Sequence, residues 1–337
     1  MTMNKQSNAF KSVSKFLQNN NNFLIVCHER PDGDALGSTF ALLNCLRENG
    51  KRVTAYLPED IPTNYIDFVP GDYRAELSLL EISDFDSIIC LDIAASARTG
   101  LGGKYKLKDV PLQKVNIDHH PDNGLFGDLN LIMPECASTS QILFKLLSDA
   151  NFKISPKTAT LMMVALVTDS GCFRFANTNE DAFLDASKLM ALGADHQKII
   201  NSMFFSKPLS YIHFESDLLL HHLKKGCDGR FAYINVPRSL REKYGIDTKN
   251  SENLIECVRA INNMDVVALL NKCDTGYKVS LRSKNARYSV GSVARKLGGG
   301  GHELAAGCFI KASTFAKAEE ILLDHIDRLL RNPKSFK

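Results

Sequence analysis

The first half of the chain repeats one pattern, a short and continuously apolar segment that ends in acidic or histidine side chains. FLIVC at 23–27, DSIICL at 86–91 and QKVNI at 113–117 all show it. Apolar runs without alternation are typical of strands covered on both faces, as in the parallel sheets of α/β proteins. DALGSTFALLNCLREN at 34–49 has helical periodicity, and RVTAYL at 52–57 adds a further strand. The pattern predicts a mainly parallel sheet with flanking helices.

The polar residues that follow these strands are predicted to meet at one edge of the sheet. The carboxyl ends of parallel strands share that edge, and open α/β sheets bind their ligands there. A helix opened by Ser155 and Pro156 delivers one further acid, Asp169, just past its apolar stretch. The edge would then carry five carboxylates and three imidazoles: His28, Asp32, Asp34, Asp92, Asp118, His119, His120 and Asp169.

Ionisable groups crowded in this way would repel and desolvate one another unless cations neutralised them. Divalent metal ions are the simplest explanation, and a pair of them could clamp phosphate oxygens for an in-line displacement. Mixed imidazole and carboxylate ligands suit Mn²⁺, Zn²⁺, Fe²⁺ or Co²⁺. Taken singly, each piece also has a structural explanation, because HERPDGD is typical of a turn that caps a helix and an isolated Asp92 or Asp169 is typical of a cap. Their joint occurrence at strand ends favours the metal site.

The second half of the chain has a different texture. GRFAYINV at 229–236 and the pair VVALLNKC and YKVSLRS, separated by the turn signal DTG, are typical of antiparallel strands. SVGSVARKL predicts a helix, GGGGHELAAGC a glycine-rich loop, and TFAKAEEILLDHIDRLLR a closing amphipathic helix. The predicted organisation is a catalytic domain at 1–195, a helical connector at 196–225 and a smaller α+β domain at 226–337.

Length and composition exclude several classes of protein. A chain of 337 residues with 44% apolar and 23% charged residues predicts about two globular domains. The formal net charge of +3 is small and its cations are dispersed, so duplex DNA is not an expected partner. Aromatic residues do not alternate with basic ones along the chain, so a long track for single-stranded nucleic acid is not predicted.

The cysteines and the apolar segments indicate a compartment. The nine cysteines are widely spaced without a CxxC pair, which is typical of buried thiols in a reducing cytosol. The N-terminal segment lacks the apolar core of a signal peptide, and no apolar run approaches the ~20 residues of a membrane span. We therefore expect a cytoplasmic protein without a membrane partner. The sequence is compatible with a homodimer and does not decide the oligomeric state.

Six segments resemble, in order, the motifs of the DHH phosphoesterase superfamily. HERPDGDALGS, LDIAASAR, NIDHHPDN and TDSGCF are similar to the four successive motifs of its catalytic domain, and LRSK and GGGGHELAAG to its associated C-terminal domain. The resemblance implies an active site in the cleft between the two domains and two divalent ions, Mn²⁺ in particular. It implies six metal ligands, with His28 and Asp32 on one ion, Asp34 and His119 on the other, Asp92 on both, and Asp169 completing the cluster.

The same resemblance implies roles outside the metal ligands. Asp118 would orient an imidazole, in line with the usual support of metal-bound histidine, and His120 would face the substrate phosphate. The glycine-rich segment would approach phosphate closely, although a flexible joint would also explain it. Arg98 is equally compatible with a solvent-facing position. The implied substrate-binding residues are Arg98, Arg282, Ser283, Gly299, Gly300, Gly301 and His302.

Within that superfamily the two-domain length favours a compact exonuclease on short single-stranded RNA that also dephosphorylates 3′-phosphoadenosine 5′-phosphate. A phosphodiesterase for cyclic or linear dinucleotides such as c-di-AMP, pApA or pGpG is the first alternative, because the same motifs would serve it. A pyrophosphatase or polyphosphatase ranks below both. A catalytically inactive nucleotide-binding regulator is the alternative from another class, yet the expected ligand positions are all filled.

Overall fold

The computed structural model describes residues 3–57, 61–69, 71–99, 101, 105–246 and 254–333. Contacts divide the chain into two compact units, 1–206 and 207–337, which are called unit 1 and unit 2. No helix in these described ranges is both long and apolar enough to cross a membrane.

Unit 1 is built on a parallel sheet. Its strands run in the order β2-β1-β3-β4-β5, and all neighbouring pairs are parallel. The described strands are β1 (Asn22–Val26), β2 (Arg52–Tyr56), β3 (Ser87–Leu91), β4 (Gln113–Asp118) and β5 (Leu129–Ile132). Apolar clusters cover both faces of the sheet, so the predicted α/β architecture with flanking helices is confirmed.

The helices of unit 1 are α1 (Met3–Asn19), α2 (Gly33–Glu48), α3 (Leu79–Ser83), α4 (Thr139–Asp149), α5 (Pro156–Asp169), α6 (Glu180–Ala191) and α7 (His196–Phe204). Sequence analysis assigned no helix to the polar segment that forms α1. Its signal was weak but present, because the buried residues Val13, Phe16 and Leu17 follow helical spacing.

Close packing of α2 on α5 brings two acid-bearing helix ends together. A Cβ added at Gly37 would lie 2.7 Å from the carbonyl oxygen of Leu161, and one at Gly33 would lie 2.4 Å from the hydroxyl oxygen of Thr168. Glycine at both positions therefore lets the helices approach. The first turn of α2, with Asp34, consequently packs beside the last turn of α5, which carries Asp169.

Unit 2 contains a mixed sheet in the order β10-β11-β9-β8-β7-β6. Its described strands are β6 (Leu223–Gly226), β7 (Phe231–Val236), β8 (Val266–Lys272), β9 (Tyr277–Ser283), β10 (Gly300–Gly301) and β11 (Ala305–Ile310). The helices around it are α8 (Leu209–His221), α9 (Arg238–Tyr244), α10 (Leu254–Arg259), α11 (Val290–Lys296) and α12 (Phe315–Arg331).

Two expectations about unit 2 were wrong in detail. The predicted β8–β9 hairpin is present, but β7 pairs with β8 in parallel, because α9 and α10 lie in the crossover between them. The glycine-rich segment is a short hairpin rather than a loop, since Gly300 and Gly301 pair with β11. A Cβ at Gly299 would lie 2.1 Å from the carbonyl oxygen of Gly307, so only glycine allows this approach.

Candidate metal centre

The eight predicted side chains come together at the carboxyl edge of the unit 1 sheet. They form three overlapping groups whose possible ligand atoms lie within 4.8 Å of one another. The groups are His28 with Asp32 and Asp92; Asp34 with His119 and Asp169; and Asp92 with Asp118, His119 and His120. We call these eight residues the carboxylate cluster.

Asp92 lies at the centre of the carboxylate cluster. Its Oδ2 is 3.6 Å from His28 Nε2 and its Oδ1 is 3.6 Å from His119 Nε2, so its two oxygens face different histidines. The residue is 2% exposed and adopts a left-handed backbone with φ of 58°, a conformation that aspartate tolerates better than most residues. Its amide donates to Ile117 O at 3.1 Å, which ties the turn after β3 to β4.

His119 faces the second group of acids. Its Nε2 lies 3.7 Å from Asp34 Oδ2 and 3.5 Å from Asp169 Oδ2. These separations are longer than hydrogen bonds. They fit ligands of a common cation, because two donor atoms about 2.1 Å from one ion lie roughly 3.0–3.6 Å apart. The donor set therefore fits divalent metal.

The outer nitrogens of two histidines are held by backbone carbonyls. His28 Nδ1 lies 2.8 Å from Glu29 O, and His119 Nδ1 lies 3.2 Å from Cys136 O. With Nδ1 held by a backbone carbonyl, Nε2 is directed at the carboxylates and would give its lone pair to a cation once its proton is displaced, which is the usual support of a metal-binding histidine.

The N-terminus of α4 holds Asp34, and this contribution was missed at the level of sequence. The Thr139 amide donates to Asp34 Oδ2 at 2.7 Å, while the Ser140 amide (3.3 Å) and the Ser38 hydroxyl (2.9 Å) donate to Oδ1. The Thr139 hydroxyl also donates to Asp92 Oδ1 at 3.2 Å. STSQILFKLL is recognisable in sequence as a helix, and Ser138 caps it, but the contact of its first turn with Asp34 spans 105 residues.

Asp118 accepts hydrogen bonds at both of its carboxylate oxygens. It is fully buried and accepts from His120 Nδ1 at 2.7 Å, from Asn123 Nδ2 at 2.6 Å and from the His119 amide at 2.8 Å. Burial alone would raise the pKa of Asp118, but the hydrogen bonds from His120 and Asn123 lower it. Asn123, which sequence analysis did not assign, thus holds Asp118 by a hydrogen bond, and Asn177 similarly donates to the backbone oxygen of Asp169 at 3.1 Å.

The pKa values of the carboxylate cluster report its crowding. Burial, together with the charges of neighbouring acids, raises the pKa of Asp169 to about 7 and raises that of Asp34. Burial would lower the pKa of His28, yet the carboxylates of Asp32 and Asp92 outweigh it and raise the pKa to about 12. Asp118 and Asp92 likewise overcome burial and raise the pKa of His120 to about 10. The cluster therefore retains protons that bound cations would replace.

Asp32 and Arg98 lie at the rim. Asp32 caps α2 by accepting from the amides of Asp34 (3.0 Å) and Ala35 (3.1 Å), and its Oδ1 is 3.8 Å from His28 Nε2. The Arg98 carbonyl accepts from the Glu29 amide at 2.9 Å, so this residue lies beside the His28 turn with its side chain exposed.

The candidate substrate residues of unit 2 meet at the ends of neighbouring strands. Arg282 pairs with Ala305, and Gly301 pairs with Ala306 on the same strand. Gly299 precedes this pairing, and Gly300 and His302 are exposed. Ser283 is fully buried and its hydroxyl donates to Asn285 O at 2.9 Å, so it shapes the turn after β9.

Comparison with known proteins gives a consistent assignment. Residues 22–166 match the model of the DHH family, N-terminal domain, and residues 228–332 match the DHHA1 domain. The bifunctional oligoribonuclease and PAP phosphatase NrnA of Thermus thermophilus is 30% identical over 90% of this chain and 88% of its own length. The protein of the same name from Bacillus subtilis is 26% identical over 88% of this chain and 91% of its own.

A solved structure shows the same fold. The exopolyphosphatase-related protein of Bacteroides fragilis superposes with a TM-score of 0.88 at 24% identity, covering 96% of both chains. Two matching domains, a full-length relative at 30% identity and the observed architecture agree, and this chain belongs to the DHH family of phosphoesterases, in the form that carries a DHHA1 domain.

Proposed function

We propose that this protein hydrolyses short single-stranded oligoribonucleotides from one end and also removes phosphate from 3′-phosphoadenosine 5′-phosphate, with two divalent ions, Mn²⁺ in particular. The observation that carries the proposal is the position of Asp92. Its two carboxylate oxygens lie 3.6 Å from the Nε2 atoms of two histidines that belong to separate ligand groups. One carboxylate shared by two ligand groups suits a site with two metal ions.

The proposed ligands follow the observed groups. His28 and Asp32 would hold one ion, Asp34 and His119 the other, with Asp92 shared and Asp169 completing the second group. Bound divalent ions would supply Lewis-acid stabilisation of the charge on the phosphoryl oxygens. The Nδ1 contacts of His28 and His119 and the α4 amides on Asp34 support this assignment, because they fix the donor atoms before any ion binds.

His120 is proposed to act on the substrate phosphate. Its Nδ1 bonds to buried Asp118 at 2.7 Å, and the raised pKa of about 10 keeps the imidazole protonated at neutral pH. With Nδ1–H directed at Asp118, Nε2–H is the imidazole donor that would meet a phosphate oxygen. Asp118 would thereby stabilise the imidazolium and set its orientation.

Residues outside the carboxylate cluster are proposed to grip the rest of the substrate. Arg98 lies beside the His28 turn with an exposed side chain, which suits a contact to phosphate. In unit 2, Arg282 on β9 and the glycine hairpin from Gly299 to His302 flank β11 on its two sides. Backbone amides and cations there can bind an anion. Ser283 would contribute by holding the turn after β9.

The names of the relatives favour RNA and PAP over dinucleotides as substrates. The test is turnover with Mn²⁺ on a matched panel: ribonucleotide oligomers of two to five units, 3′-phosphoadenosine 5′-phosphate, a cyclic dinucleotide, its linear form, and pyrophosphate. We expect the RNA oligomers and the bisphosphate to be preferred. Preference for the dinucleotides would replace the proposal, and hydrolysis of none by metal-loaded protein would refute it.

Two design features make the panel decisive. Asp92→Ala should lose about 1,000-fold in turnover on every substrate, and the same loss throughout the panel excludes a contaminating nuclease. Oligomers labelled at either the 5′ or the 3′ end show the polarity of cleavage.

The free cysteines of the described chain suit a reducing compartment. We therefore propose a cytoplasmic location, to be tested by cell fractionation.

A further inference from the structure

One face of the unit 2 sheet is only partly covered by helices. On β7 and β8 this face is buried, with Val267 and Leu269 packed among apolar side chains from α8, α9 and α10. Cross-strand partners point to the same face, so the residues that pair with these two on β9 lie on it as well. Beyond β8 the face stays accessible, and we call this part the open face: Lys278, Ser280, Arg282, Ala305, Gly307 and Phe309.

Phe309 is the large apolar side chain of the open face. It is 43% exposed, although its strand neighbours Cys308 and Ile310 are buried on the other side of the sheet. A Cβ added at Gly276 would lie 2.8 Å from Phe309 Cζ and 3.0 Å from Cε1, so the ring rests against the backbone of that glycine. The ring is thus held on one side and accessible on the other.

The floor beside Phe309 carries almost no side chains. Ser280, Gly307 and Gly300 form one row across β9, β11 and β10. A Cβ added at Gly307 would come no closer than 3.4 Å to another atom, and one at Gly300 would have nothing within 4 Å. Packing does not explain glycine at these two positions, but a flat floor leaves room for a planar ligand to lie along the sheet.

Cationic side chains flank this floor. Lys278 pairs directly with Phe309, and Arg282 lies further along the same strand. Arg282 forms an ion pair with Glu256, with Nε 3.6 Å from Oε1. Lys278 is exposed and forms no ion pair within the described residues. Neighbouring strands are about 4.8 Å apart, so the long Lys278 side chain can place its ammonium beside the Phe309 ring. A ligand for this surface would be flat, apolar on its faces and anionic at its edge.

A single exposed aromatic residue is common on protein surfaces. The open face combines an aromatic ring packed against the backbone, a floor without side chains and an adjacent cation. Such a combination recognises an unpaired nucleotide, because the base stacks on the aromatic ring and the phosphate contacts the cation. We infer that the open face is a nucleobase subsite, in which Phe309 stacks a base of the short RNA and Lys278 binds the neighbouring phosphate. The inference rests on the proposed function for the identity of the ligand, and it adds two residues to those assigned above.

The experiment compares two ligands of equal charge that differ only in their bases. Binding of a phosphorothioate-linked triribonucleotide and of its abasic counterpart is measured by titration calorimetry with wild-type protein, Phe309→Ala, Phe309→Trp and Lys278→Gln. Leu220→Ala on α8, a residue 77% exposed, is the matched surface control. Melting temperatures confirm that all variants are folded.

We expect the wild type to prefer the triribonucleotide over the abasic ligand. Phe309→Ala should weaken the binding of the triribonucleotide about tenfold, because the stacking of one base is lost. The affinity for the abasic ligand should be unchanged. Phe309→Trp should retain the preference, and Lys278→Gln should weaken both ligands alike and reduce their salt dependence. Unchanged affinity in Phe309→Ala, or equal loss for both ligands, would overturn the inference. Hydrolysis of the unmodified triribonucleotide by wild-type protein, measured in parallel, tests the proposed function separately.

Discussion

The carboxylate cluster of unit 1 and the open face of unit 2 are built in opposite ways. In the carboxylate cluster five of the eight side chains are buried, and hydrogen bonds from outside the metal ligands hold several of them, as His120 and Asn123 hold Asp118. On the open face the side chains are accessible, and Lys278 is fixed by nothing in the described chain. Chemistry on a phosphoryl group needs donor atoms that are placed in advance. Gripping a short polymer needs only tolerant contacts, so changes in unit 1 should affect rate and changes in unit 2 should affect affinity.

The largest effect is expected at the centre of the carboxylate cluster. Asp92→Ala removes the carboxylate between the two ligand groups and should lower kcat about 1,000-fold, since several kcal/mol of transition-state stabilisation are lost. Metal content measured by mass spectrometry should fall together with turnover. Retention of both ions and a near-normal rate would show that Asp92 does not link the two groups.

A smaller loss is expected one layer further out. Asp118→Asn keeps the shape of the side chain but removes the charge that holds His120 protonated, so kcat should fall about 10- to 100-fold. The raised pKa of His120 should also drop toward its ordinary value, which moves the alkaline limb of the rate profile to lower pH. Asn123→Ala is the matched variant, because it removes one hydrogen bond to Asp118 and leaves its charge. If Asp118→Asn changed KM alone, the positioning role would be wrong.

The proton content of the carboxylate cluster gives a prediction about metal affinity. The pKa of Asp169 is raised to about 7, and the pKa of Asp34 is raised as well. These acids therefore hold protons as the pH falls toward 6. A cation binds only the deprotonated form, so the affinity for Mn²⁺ should rise with pH, by about tenfold per pH unit for each proton displaced. Calorimetry in buffers of different ionisation enthalpy counts these protons. Asp169→Asn should flatten the dependence, and an equally steep profile in that variant would contradict the assignment.

The carboxylate cluster could be predicted from sequence because its members follow strands. His28, Asp92 and Asp118 come at or directly after apolar runs, and the carboxyl ends of parallel strands meet at one edge. Thr139 and Asn177 could not be predicted in the same way. Their contacts to Asp34 and Asp169 depend on how helices and loops pack in three dimensions, and a polar residue near a helix start usually serves only as a cap for that helix.

The open face was out of reach of the sequence for a related reason. Aromatic and basic residues do not alternate along the chain, but Phe309 and Lys278 become neighbours through the register of β9 and β11, across 31 positions. The parallel pairing of β7 with β8 was missed because two strands that are rich in apolar residues look alike whichever way they pair. Register and strand direction are properties of the assembled sheet.

The smallest effects are expected in the glycine hairpin. Alanine substitutions there distinguish Gly299, which the fold needs, from Gly300, which is proposed to contact the ligand. Gly299→Ala would place a Cβ 2.1 Å from Gly307 O and should cost about 1–3 kcal/mol of unfolding free energy, because the hairpin must open. Gly300→Ala meets open space and should change stability by less than about 0.5 kcal/mol. Thermal denaturation measures both changes in stability, and the affinity for Mn²⁺ should be unchanged in each variant.

The methyl group of Gly300→Ala nevertheless stands on the floor of the open face. It should therefore weaken the binding of the triribonucleotide more than the binding of its abasic counterpart. Equal stability of the two variants would show that close approach is not the reason for glycine at 299.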